Sequence, residues 1–280
     1  MTPFSGLSGF PITPADEQGR VDTDALRTLL KRLTEAKVDS IGLLGSTGSY
    51  PYLTRSERRR AIEAAVDQVG GKAPILVGIG ALRTDDAVQF GQDARAAGAD
   101  AVLLAPVSYT PLTDDEVFEH FETVAKAVGL PLCVYNNPGT THFTFSADLI
   151  ARLSHVPNIA AVKNPAPGAS AIAGHLHELR ARASPGFSIG YSVDWNATEA
   201  MLAGGDAWYS VVGGLFPTPC LQILSAVQAT DDAAARRMNV RLKPLWDLFA
   251  EFSNLRVMYA AVNLLGLCPR PPAPPHSPAA

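Results

Sequence analysis

The stretch Asn158-Ile159-Ala160-Ala161-Val162-Lys163-Asn164-Pro165 is an apolar run that closes on an amine. Of the six lysines, Lys31, Lys37, Lys72, Lys126 and Lys243 stand in polar or helical surroundings. Lys163 alone ends a segment, bounded by Pro157 and Pro165, that reads as a strand covered on both faces. An ammonium there costs several kcal/mol unless it is paired or gives up its proton. A neutral amine is a nucleophile, and desolvation is one way proteins prepare lysines for Schiff-base chemistry on carbonyls. The same side chain can instead snorkel outward or pair with a carboxylate. Its neighbours choose between these readings.

Imine chemistry needs a small carbonyl substrate, a group that moves protons while the carbinolamine and imine form, and anchors for the substrate's charge. Tyr135, at the end of the apolar run PLCVY, can relay protons. Ser46 and Thr47, in the loop Gly45-Ser46-Thr47-Gly48-Ser49, offer hydroxyls and backbone N–H groups suited to a carboxylate, so a 2-oxo acid fits. Ser108-Tyr109-Thr110 follows another apolar run. The bland alternatives are a core tyrosine with a wet hydroxyl and an ordinary turn. No GK[ST] follows the glycine loop and no GxGxxG occurs, so nucleotide binding has no motif. His175 and His177 are two apart on a helical pattern and face different ways, and His120 and His142 lie in separate segments. Neither a metal nor a cofactor is expected.

The elements that must position these groups alternate. Strands are expected at 6–13, 39–44, 74–79, 100–105, 131–135, around Lys163 between Pro157 and Pro165, and at 187–191 and 207–212, and helices at 22–37, 54–70, 84–97, 113–128, 146–153, 169–183, 194–203 and 217–228. Thr54-Arg55-Ser56-Glu57 has the form of a capping box. Eight strand–helix pairs predict an α/β fold, a (β/α)8 TIM barrel, over residues 1–230. Two further helical patterns form a C-terminal helical extension over 231–267, and 268–280 (CPRPPAPPHSPAA) is expected to be a flexible tail. In such barrels reactive groups sit where strands end, so Gly45-Ser46-Thr47-Gly48-Ser49, Ser108-Tyr109-Thr110, Tyr135-Asn136-Asn137-Pro138 and Lys163 are expected at one mouth.

Composition agrees with a large α/β core: 280 residues, 47% hydrophobic and 18% charged. A net charge of -4 supplies no basic field for nucleic acid or an anionic membrane. Cys133, Cys220 and Cys268 lack CxxC spacing, and no apolar run approaches the roughly 20 residues of a membrane span. A cytoplasmic protein acting on small molecules is the expectation.

GSTGS at 45–49, PVSYTPLTDDEVFEHF at 106–121, VYNNPGTT at 134–141 and AVKNP at 161–165 together resemble the dihydrodipicolinate synthase and N-acetylneuraminate lyase family, over roughly residues 4–267. The resemblance implies a barrel with a helical extension, assembled as a homotetramer or homodimer. It implies a lyase that joins a lysine to pyruvate or another 2-oxo acid as a Schiff base, then makes or breaks a carbon–carbon bond with an aldehyde, or eliminates water. By position, Lys163 is the imine lysine, Tyr135 the proton relay, Ser46 its hydroxyl link, and Tyr109 the tyrosine that reaches a neighbouring subunit's site. Thr47, Gly48, Thr140, Ser192 and Val211 fall at substrate-binding positions. Dihydrodipicolinate synthases carry an arginine where Thr140 stands, for the carboxylate of aspartate semialdehyde, and a hydroxyl forfeits that bidentate pairing. The family's usual glutamate is Ser49, and the turn Gly190-Tyr191-Ser192-Val193-Asp194-Trp195 lacks the acidic pair of sialic-acid lyases. Tyr50, Tyr52, Thr140, Thr141, His142 and Trp195 are therefore expected to make the second pocket more aromatic and less charged. The alternatives are a dihydrodipicolinate synthase that condenses pyruvate with aspartate semialdehyde and a barrel that binds a 2-oxo acid without turnover.

Overall fold

The computed structural model describes residues 2–268. Eight parallel strands close on themselves in chain order: β1 (Gly6–Gly9), β2 (Ser40–Leu43), β3 (Ile75–Gly78), β4 (Ala101–Leu104), β5 (Leu132–Tyr135), β6 (Ile159–Pro165), β7 (Ser188–Ser192) and β8 (Ala207–Ser210). The helices are α1 (Thr23–Ala36), α2 (Arg55–Val69), α3 (Thr84–Ala96), α4 (Asp114–Val128), α5 (Pro138–Thr141), α6 (Ala147–Ser154), α7 (Ile172–Arg182), α8 (Asp194–Leu202), α9 (Pro217–Gln228), α10 (Asp232–Arg241), α11 (Lys243–Phe252) and α12 (Asn254–Leu264). The TIM barrel expected from the spacing is the fold observed.

Strand periodicity divides the core in two. One set of alternate residues packs outward under the helices, including Ile41, Leu43, Val77, Val102, Val134 and Val162. The other set fills the barrel, including Leu76, Leu103, Cys133, Tyr135, Ala161 and Tyr209. Room inside is made by small residues: any Cβ at Gly42 would overlap the Phe10 ring, and one at Gly190 the Tyr209 ring.

Several local expectations needed correction. β1 stops at Gly9 rather than residue 13: Phe10 N–H still bonds Ser210 O at 2.8 Å, but Pro11 has no donor with which to continue the ladder. β6, expected between Pro157 and Pro165, includes Pro165 through its pairing with Ser192 of β7. At Thr54–Glu57 only half a capping box forms, because Glu57 instead accepts from the buried Val21 N–H at 2.7 Å. The complete box is at Thr113 and Glu116, opening α4. The extension has three helices after α9, not two, since Pro244 near the start of α11 separates it from α10. Tyr259 Oη donates to Thr13 O at 3.0 Å and ties α12 to the loop after β1. Cys268, counted with the tail, is buried, while 269–280 lie outside the described residues.

His120 on α4 gives a stability prediction. Its Nδ1 lies 2.9 Å from the Thr84 hydroxyl, and burial pushes the imidazole down from 6.5 to about 4. The folded chain thus takes up this proton less readily than the unfolded chain. The contribution to stability is complete above the unfolded value and is lost as pH falls from about 6.5 to about 4. His120→Gln is expected to remove up to roughly 2–3 kcal/mol of that acid-dependent loss, read as a flatter plot of urea midpoint against pH; an unchanged plot refutes it.

Candidate active site

The strand register brings the reactive pair together. Tyr135 pairs with Lys163 and Cys133 with Ala161 across β5 and β6, so Tyr135 and Lys163 are adjacent inward-facing side chains one strand spacing apart, about 4.8 Å. Lys163 is 3% exposed. Its Nζ lies 3.7 Å from the centre of the Phe10 ring, 4.3 Å from that of Tyr135 and 5.8 Å from that of Tyr209. Burial and strand direction both rule out the snorkelling reading.

The amine opens on a cavity of about 160 Å³ lined by Phe10, Ser46, Thr47, Tyr135 and Asn137 from the barrel's strand ends and loops, by Thr140, Ser192, Trp195 and Val211 from its later loops, and by Phe249 and Asn254 from the C-terminal helices. That is smaller than the roughly 300–1,000 Å³ of drug-sized sites and suits a small metabolite. A larger apolar groove of about 470 Å³ lies among Phe216, Leu245, Phe252 and Val257, but it has almost no polar surface and none of the reactive groups.

A short network covers the amine. Ser46 Oγ is 3.3 Å from Tyr135 Oη, and Asn137 Nδ2 donates to Tyr135 Oη at 3.0 Å and to Ser46 Oγ at 3.3 Å. Among the described residues lining the cavity, Asp194 is the only carboxylate. Its Oδ1 accepts from Trp208 Nε1 at 2.8 Å and Ser210 Oγ at 2.7 Å, and its Oδ2 from the backbone N–H groups of Val211 and Val212 at 3.1 Å each. Burial pushes this carboxyl up, and the four donors pull against that. Asp194 therefore holds the wall rather than pairing with Lys163. Beside it Val193, at φ 67°, is a β-branched residue in the left-handed region, a strain that carries the chain from β7 to Trp195 at the rim.

The sequence profile of the dihydrodipicolinate synthetase family matches residues 3–280. The chain belongs to the dihydrodipicolinate synthetase family. Its curated relatives include the 4-hydroxy-tetrahydrodipicolinate synthases of Stutzerimonas stutzeri, 35% identical over 89% of this chain and 84% of that protein, and of Neisseria meningitidis serogroup B, 34% identical over 92% and 87%. The crystal structure of dihydrodipicolinate synthase from Agrobacterium tumefaciens superposes with a TM-score of 0.97 at 56% identity, covering 99% of this chain and 94% of that one. As a dihydrodipicolinate synthetase family member the chain is a lyase built on the Schiff-base aldolase plan.

Of the residues singled out from the sequence, Lys163, Tyr135, Ser46, Thr47, Thr140, Ser192 and Val211 line the cavity. Gly48 does not. It lets the loop close on itself, where a Cβ would crowd Leu44 and Thr13. Tyr109 is 96% exposed and away from the cavity. The second pocket keeps Thr140 and Trp195 but not the other four residues expected there. Tyr50 is buried in a 3-10 turn against Gly80 and beneath the Arg58 guanidinium, and Tyr52 in the same turn is 44% exposed. Thr141 bonds back to Asn137 O, and His142 caps α5 facing solvent. Phe10, Phe249 and Asn254 also line the cavity and had no signal in the sequence, whereas Asn137 lies in the stretch Tyr135-Asn136-Asn137-Pro138 expected at the mouth, where no role was assigned to it.

Proposed function

We propose that the chain forms a Schiff base between Lys163 and pyruvate or another 2-oxo acid, then makes or breaks a carbon–carbon bond with an aldehyde partner or eliminates water. The observation that carries this is the buried Lys163 amine, in register with Tyr135 and opening onto a cavity in which Ser46 and Asn137 converge on the Tyr135 hydroxyl. Thr47, beside Ser46 on the cavity wall, is suited to the acid's carboxylate. The amine adds to the keto carbon. Tyr135, linked to Ser46, hands protons to and from the oxygen that departs as water.

The test is borohydride reduction in the presence of pyruvate. A pyruvyl-sized mass on the peptide containing Lys163 is expected, and no adduct with any of a panel of 2-oxo acids rejects the reading. An adduct that never progresses with any aldehyde favours a binding barrel without turnover. Tyr135→Phe is expected to slow adduct formation about 100-fold or more in rapid-quench measurements; a normal rate moves the relay elsewhere.

The second substrate is proposed to be an aldehyde without a carboxylate at its far end. Among the described lining residues Lys163 is the only cation, Thr140 presents a hydroxyl, and the outer wall is Trp195, Phe249 and Asn254. The names of the curated relatives favour condensation with aspartate semialdehyde as the second reading. Pyruvate release from 2-keto-3-deoxy sugar acids, against condensation with aspartate semialdehyde, separates the two. Tyr109, with Tyr52 and the 67% exposed Leu82 also outward-facing, is proposed to pack against a second copy of the chain.

A further inference from the structure

Asn137 occupies the N-cap position of α5, directly before Pro138. An asparagine there ordinarily turns its side chain back to accept from the first free backbone N–H groups of the helix. This one makes no such cap. The backbone carbonyl does the local work instead, accepting from Thr140 N and Thr141 N at 3.0 Å each and from Thr141 Oγ1 at 3.0 Å, which fixes where the side chain starts. The carboxamide faces the cavity, and its Nδ2 reaches Tyr135 Oη at 3.0 Å and Ser46 Oγ at 3.3 Å. An amide nitrogen has two hydrogens and can give both bonds at once.

Building on the imine reading above, we infer that Asn137 is a positioning residue for the proton relay, holding the Tyr135 phenol oxygen as an acceptor and steadying it when it loses its proton. In carbinolamine dehydration the Lys163 nitrogen lone pair forms the C=N bond and the carbon–oxygen bond breaks. The departing hydroxyl takes the Tyr135 proton and leaves as water, and a protonated imine and a phenolate remain. Charge balances, and the new negative charge sits on the oxygen toward which Asn137 already donates. Because that oxygen accepts from the amide, its own proton points to Ser46 Oγ, 3.3 Å away, or into the cavity. The bond is already made to the neutral phenol, so what it contributes to the rate is its strengthening as the oxygen becomes charged, roughly 5- to 30-fold. The relay is thereby completed by a donor from the same strand end as Tyr135.

The test is the single-turnover rate of imine formation with pyruvate, quenched with borohydride and read on the Lys163 peptide. Asn137→Leu is expected to slow it roughly 5- to 30-fold while the pyruvate concentration giving half-maximal rate moves less than about threefold. Asn137→Asp, nearly the same shape, is expected to slow it at least as much, since a carboxylate accepts the phenol's proton instead of donating. In a Tyr135→Phe background Asn137→Leu is expected to add less than about twofold, because the two act through one oxygen. A wild-type rate in Asn137→Leu, a rate in Asn137→Asp equal to or above wild type, or a full multiplicative loss on top of Tyr135→Phe each overturns the inference. If Asn137→Leu does not fold, Asn137→Asp alone and with Tyr135→Phe decides it. Failure of the unmodified protein to form any adduct overturns the imine reading and this inference together, whereas an adduct with unaffected Asn137 variants removes this inference alone.

Discussion

Lys163→Ala is expected to abolish adduct formation with pyruvate and to lower turnover by roughly 10⁴-fold or more, the scale on which covalent catalysis is lost with its nucleophile. The fold should persist. The amine contacts aromatic rings, and its loss relieves a desolvated polar group while leaving a small void, two effects of opposite sign that together come to about 1–2 kcal/mol. Lys163→Met, which keeps the length of the stem among Phe10, Tyr135 and Tyr209, separates them: it should be as inactive as the alanine variant and closer to the parent in urea midpoint. Residual turnover within about tenfold of the parent in either variant would place the chemistry on another residue.

Asp194→Ala is expected to have the largest effect on stability. One carboxylate satisfies an indole N–H, a hydroxyl and two consecutive backbone N–H groups, three of these bonds buried in the barrel wall and the one from Val211 partly so. Leaving such donors unpaired costs about 3–5 kcal/mol. The Val193 turn, already strained, loses its anchor, so Trp195 and Val211 should shift together. Urea unfolding measures the first effect, and the second appears as weaker binding of pyruvate. Asp194→Asn should recover little, since its NH₂ group would face two N–H donors. A variant of parental stability would mean that the β8 turn is held by something else.

What could be read in advance follows from how local each signal is. Lys163 and Tyr135 were legible because each closes a short apolar run, and strand alternation alone turns both into the barrel. The TIM barrel itself was legible from eight repeats of one pattern. Asn137 was harder: its role depends on a side chain declining the cap that its position suggests, which only coordinates reveal. Phe10 reaches Lys163 through space left by Gly42 and Gly45, three segments that nothing in the sequence links. Tyr50 was read as a pocket residue because it follows the glycine loop. The 3-10 turn rotates it toward Gly80 and Arg58 instead. The third helix of the extension was hidden by a continuous apolar pattern across Pro244.

Phe249 and Asn254 belong to α11 and α12, about ninety residues from the lysine they overlook. The cavity wall is therefore assembled from two distant parts of the polypeptide, this pair on the appendage and Thr140 and Trp195 on the barrel loops. A chimera exchanging residues 243–264 is expected to change the relative turnover of a panel of aldehydes while adduct formation with pyruvate keeps its host's rate.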